Sequence, residues 1–103
     1  MVNIVIYLND SFDPDKIVES LLEKTLIAKA TVDRNNKSYE FGPNGIETKI
    51  YSIITMQTKS MLFSEISDIV ASQFSADIPI YSLPITQSNK WFDGFVRSNT
   101  RKI

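Results

Sequence analysis

The chain has 103 residues, 43% of them hydrophobic and 22% charged, which allows one domain with one core and excludes a disordered or fibrous chain. Eleven Lys and Arg against twelve Asp and Glu leave a formal charge of −1. No basic footprint for a phosphate backbone exists at that balance, so nucleic acid is not an expected partner. With no Cys and no His, the chain also lacks disulfides, thiolate nucleophiles, imidazole bases and the preferred ligands of transition metals.

Val2 to Leu8 is a short, β-branched, apolar run suited to a buried strand. It lacks a charged leader and meets Asn9 and Asp10 at once, so it does not read as a signal peptide or a membrane span, and a cytoplasmic location is the default expectation. Asp13 followed by Pro14 marks a helix N-cap, and Ile17, Val18, Leu21 and Leu22 repeat at helical spacing to about residue 25. Leu26 to Val32 turns to strand character, and Asp33 to Lys37 reads as an exposed turn or loop. Gly42-Pro43-Asn44-Gly45 is a tight turn signal, with Asn-Gly the pair that tolerates positive φ.

From Ile46 to Gln57 the residues alternate as one long strand whose second face becomes apolar near its middle. A strand of that length exceeds what so small a domain covers by itself, which predicts that part of it meets another subunit. Thr58 to Phe74 returns to helical spacing through Leu62, Ile66, Ile69 and Val70, with Thr58 or Ser60 as the expected cap. Ile78 to Ile85 is a strand that Pro79 and Pro84 confine to a sheet edge or to its own ends. Ser88 to Ser98 carries Trp91, Phe92, Phe95 and Val96 as a short closing helix that caps the core or a neighbouring subunit.

The order β-α-β-β-α-β plus a terminal helix predicts a single α+β domain over residues 1–103, ferredoxin-like, with two helices on one face of an antiparallel sheet. The open face and the two-faced long strand predict burial by oligomerisation.

Several segments resemble the CutA divalent-cation-tolerance family, which is similar in fold and trimeric assembly to the PII signalling proteins. Leu26-Ile-Ala-Lys-Ala-Thr31 stands at the family's Leu-Ala-Ala-Cys-Val segment, and Met56-Gln57-Thr58 at its Lys-Thr pair. Phe74 to Pro79 stands at its His-Pro-Tyr-Glu-x-Pro segment, and Leu83-Pro84-Ile85 with Phe92 and Phe95 at its Leu-Pro-x motif and spaced Tyr and Trp. The resemblance implies a homotrimer with any ligand site in clefts between subunits. Lys29, Phe74 and Gln57 replace the family's Cys, His and Lys, and Phe41-Gly-Pro-Asn-Gly45 replaces its Trp-x-Gly turn. Copper binding is therefore not implied, and neither a metal nor another cofactor is expected.

Five residues are candidates for lining such a cleft: Lys29, Tyr39, Phe41, Gln57 and Asp77. Asp77 matches the acidic position of the family's segment, although a turn before Ile78-Pro79 also accounts for it. Tyr39 and Phe41 either line a cleft or pack near the hairpin. Lys29 either holds an anion or lays its stem on the surface with its amine in water. Asp10, Asp13 and Asp15 lack the glycine and distant Glu of a calcium loop, and helix capping accounts for them. No glycine-rich phosphate loop fits a chain with three Gly, and no nucleophile stands in a pattern with a base, so catalysis is not expected. The expected role is a non-enzymatic, trimeric, regulatory binding module whose ligand, or protein partner, orders the hairpin around Ser38 to Gly45. A structural scaffold for a protein partner is the alternative.

Overall fold

A computed structural model describes residues 1–102. The sheet has four strands in the order β2-β3-β1-β4: β1 (Val2–Leu8), β2 (Lys29–Gly42), β3 (Gly45–Thr58) and β4 (Ile80–Pro84). All three pairings are antiparallel, and β4 is an edge strand with Pro79 just before it and Pro84 at its end, so both alternatives read from its prolines hold. The helices are α1 (Pro14–Glu23), α2 (Phe63–Gln73) and α3 (Lys90–Ser98). The α+β, ferredoxin-like expectation holds.

Residues directly opposite across an antiparallel pair share a face. Ile4 opposes Met56 and Ile6 opposes Ile54, so these side chains line one face and are fully buried. They form one cluster with Ile17 and Leu21 of α1 and with Ile66 and Val70 of α2. Both helices therefore lie on that face, which leaves Asn3, Val5 and Tyr7 of β1 on the other.

The helix ends differ from the sequence reading. Asp13 does cap α1 by accepting from the Asp15 amide, but α1 stops at Glu23 because Thr25 takes φ 55. The amides of Thr25 and Leu26 turn back onto the Leu22 and Leu21 carbonyls. Neither Thr58 nor Ser60 caps α2. Thr58 ends β3 and is buried, with its hydroxyl donating to the Leu26 carbonyl, while Ser60 opens a 3-10 turn, Ser60–Leu62, that leads into α2 without a side-chain cap. β4 is also shorter than expected, starting only after Pro79, whose carbonyl accepts from the Tyr7 amide.

The largest departure lies at Asp33 to Lys37. These residues do not form a loop but continue β2, and the irregularity there is a bulge between Asp33 and Asn36. Asn35 takes φ 64, a conformation asparagine tolerates. The Asn36 side chain donates to the Asp33 and Tyr51 carbonyls and holds the bulge in place. At the far end Pro43 and Asn44 make the turn, and Gly45, not Asn44, takes the positive φ, at 110°. β1 pairs with β3 only as far as Ser52, so residues 36–42 and 45–51 project beyond it as a two-stranded arm. The molecule measures 47 × 28 × 20 Å as a result.

Candidate functional site

The base of the arm is where polar chemistry collects. The bulge inserts one residue into β2 relative to β3, which exchanges the faces of every β2 residue beyond it. Asn36 opposes Tyr51 and Ser38 opposes Lys49, placing Ser38 and Glu40 on the face away from the helices, with Tyr51. Tyr39 and Phe41 go to the opposite face of the arm, where they are 69% and 87% exposed beside Ile46 and Ile50.

Glu40 is the centre of the site. Its Oε1 accepts from the Tyr51 hydroxyl at 2.7 Å, and its Oε2 lies 3.4 Å from Lys49 Nζ. The Tyr51 hydrogen bond, aided by Lys49, holds the Glu40 carboxyl below its ordinary pKa, so the group is anionic. The same hydrogen bond raises the Tyr51 phenol, and the Glu40 carboxylate raises the Lys49 ammonium. Tyr7 of β1 meets the Tyr51 ring edge to face at 5.7 Å between centroids. Tyr81 of β4 opposes Val5 and continues the row of phenols across the sheet.

Two clefts flank this group and share Tyr7, Glu40, Tyr51 and Pro79. One, of about 550 Å³, runs toward Ser38, Tyr39 and Tyr81. The other, of about 270 Å³, is bounded by Asn9, Phe12, Lys49 and the Ser75 to Ile78 segment that includes Asp77. They lie between the arm on one side and the β1–α1 and α2–β4 connections on the other.

Of the five candidates from sequence, Tyr39 and Asp77 border these clefts. Phe41 stands near the arm's tip, where it lines neither. Lys29 and Gln57 oppose each other at the other end of the sheet, far along β3 from Tyr51, and do not join the site. Lys29 is exposed, and Gln57 donates to the Asn3 side chain at 2.8 Å. Glu40, Lys49, Tyr51 and Tyr7 escaped the sequence reading because the bulge that assembles them looks like a loop in the sequence. The asparagine pair at 35 and 36 was the one available signal. Among the described residues no three carboxylates gather into a metal-binding group, and no helix is long and apolar enough to cross a membrane.

No family model matches the sequence, and no curated protein matches it either. Solved structures do. CutA1 from Pyrococcus horikoshii is 18% identical, with a TM-score of 0.89 over 99% of this chain and 100% of that one. The divalent ion tolerance protein CutA1 from Ehrlichia chaffeensis is 20% identical, with a TM-score of 0.88 over 98% of this chain and 95% of that one. The periplasmic divalent cation tolerance protein CutA from Archaeoglobus fulgidus is 27% identical, with a TM-score of 0.87 over 96% of this chain and 98% of that one.

Proposed function

From a fold that is CutA-like along nearly its whole length, in agreement with the resemblance carried by its sequence segments, we propose that the chain is a non-enzymatic regulatory module that works as a homotrimer in the cytoplasm and binds its ligand in the clefts at the arm's base, next to a neighbouring subunit. One observation carries the assembly: the arm projects with Tyr39, Phe41, Ile46 and Ile50 exposed together on one face. The edge strand adds Tyr81 and Leu83 on the other face, 44% and 50% exposed. Apolar surface exposed on both faces of a chain this small favours burial against other copies.

Cation tolerance, the property in the names of the structural neighbours, would not run through soft-metal coordination in this chain. It has no Cys or His, and Lys29, Gln57 and Phe74 occupy the positions matched to the family's polar residues. A ligand would act by fixing the arm against the Asp77–Pro79 segment across the cleft, slowing amide exchange from Ser38 to Gly45. The same substitutions favour a second reading, a trimeric scaffold for a protein partner, in which the clefts stay empty.

Light scattering coupled to size exclusion tests the assembly. A mass near three times 11.7 kDa that EDTA does not change supports a trimer not held by metal. A monomer at working concentration removes it.

A further inference from the structure

Four features gather at the arm's base, outside the buried core. Tyr7, Tyr51 and Tyr81 present phenol rings from three neighbouring strands on the face away from the helices. Glu40 places a carboxylate against them, fixed by the Tyr51 hydroxyl at 2.7 Å. Asp77 adds a second carboxylate at the rim of the adjoining cleft. The only cationic side chain bordering either cleft among the described residues is Lys49, which leans on Glu40 at 3.4 Å with its own side chain 49% exposed.

Aromatic faces attract cations through the ring quadrupole, and a nearby carboxylate adds charge selectivity that a neutral guest cannot use. An anionic ligand would meet two carboxylates and one already engaged lysine. The clefts, about 550 and 270 Å³, suit a small molecule. Lys49 occupies the place at Glu40 that a guest ammonium would take, and an exposed lysine–carboxylate pair is weak enough to be displaced.

We propose that the Tyr7–Tyr51–Tyr81 row and Glu40 form a receptor for a small organic cation of the quaternary or tertiary ammonium class, with Lys49 as a built-in competitor that the ligand displaces. The inference names the ligand class for the cleft assigned above and so rests on that reading. All of its named residues come from one chain, however, so it can fail or stand apart from the trimer.

The test is an NMR titration of the full chain with choline as the probe and 3,3-dimethylbutan-1-ol, its uncharged carbon isostere, as the control. Choline is expected to shift the ring resonances of the three tyrosines saturably, and the isostere to bind at least about tenfold more weakly. Glu40→Gln should weaken choline by about tenfold, and Lys49→Met should tighten it by roughly threefold to tenfold. Equal response to choline and its isostere, no response to choline, or a Lys49→Met variant that binds no better would overturn the proposal. Light scattering on the same samples separates the two readings. A trimer that ignores choline removes the ligand class alone, whereas a monomer that binds choline removes the trimer alone.

Discussion

Tyr51 and Glu40 lie eleven residues apart on opposite strands of the arm, and the Tyr51 hydroxyl donates to Glu40 Oε1 at 2.7 Å. They do not oppose each other in the register, since Asn36 opposes Tyr51 and Glu47 opposes Glu40. The contact is diagonal along the twisted ribbon, so it ties the middle of the arm to its base. Tyr51 in turn packs on Tyr7 of β1, which makes this tie a route from the arm into the sheet.

Removing the hydroxyl while keeping the ring isolates that tie. Tyr51→Phe is expected to raise the Glu40 titration midpoint, since the bond from Tyr51 is the largest influence lowering it. Carbon-detected NMR of the Glu40 carboxyl reads the midpoint directly. The sign for stability follows from the same shifts. Glu40, lowered on folding, contributes above its unfolded value, and that contribution is lost as pH falls through the lower folded value. Tyr51 and Lys49, raised on folding, contribute below their unfolded values and lose this as pH rises through the folded ones. Amide exchange in residues 36–51, corrected for intrinsic rates, should show greatest protection between about pH 5 and pH 9. A midpoint unmoved by Tyr51→Phe would show that the hydrogen bond is not what holds Glu40 ionised.

Thr25 is a β-branched residue at φ 55, a left-handed position where glycine is the usual occupant. Its carbonyl accepts from the Arg101 amide at 2.7 Å, so the strained position also anchors the chain after α3. Thr25→Gly should stabilise the protein by about 1 kcal/mol, the cost of a left-handed side chain less the extra freedom glycine gains when unfolded. Urea unfolding measures it. A loss of stability would mean that the Thr25 hydroxyl, which donates to the Lys24 carbonyl, outweighs the strain.

The buried Thr58 hydroxyl bridges β3 to Leu26, the residue that restarts the chain after α1. Thr58→Val keeps the shape and strands the Leu26 carbonyl, a loss of about 1–3 kcal/mol. Thr58→Ser keeps the hydroxyl and should cost less. If valine proves as stable as threonine, the Leu26 carbonyl has found another donor.

The framework of the fold was legible because its signals are periodic. The run at Val2–Leu8, the helical spacing at Ile17 and Leu21, and the alternation from Ile46 onward each identified an element that exists. What failed depends on pairing between distant segments. Apart from the asparagine pair at 35 and 36, nothing local to Asp33–Lys37 distinguishes a loop from a bulged strand, since β3 supplies the partner that makes it a strand. That single extra residue decides whether Tyr39 and Phe41, or Ser38 and Glu40, face Tyr51. The candidate site was therefore half legible: Tyr39 and Asp77 border the clefts, while Glu40, Lys49, Tyr51 and Tyr7 could be found only once the register was known. Thr58 was misread as a helix cap for a related reason. A hydroxyl at a helix boundary looks the same in sequence whether it bonds its own helix or a carbonyl 32 residues away.

The exposed edge strand offers the sharpest test of assembly. Leu83 opposes Asn3 on the face away from the helices and is 50% exposed, so a carboxylate there is solvated in a monomer and costs the isolated fold little. In an interface that covers this face the same carboxylate would be buried without a partner, at a cost of several kcal/mol in each subunit. Leu83→Glu is therefore expected to give a folded chain with the mass of one subunit, with amide exchange in the Ile4, Ile6 and Ile54 core little changed. Leu22→Glu is the control, because Leu22 is 41% exposed on α1, on the other side of the sheet, and should leave the mass unaltered. Should Leu83→Glu keep a trimeric mass, this face is not what the subunits share, and the arm's apolar side, at Phe41 and Ile46, becomes the surface to substitute next.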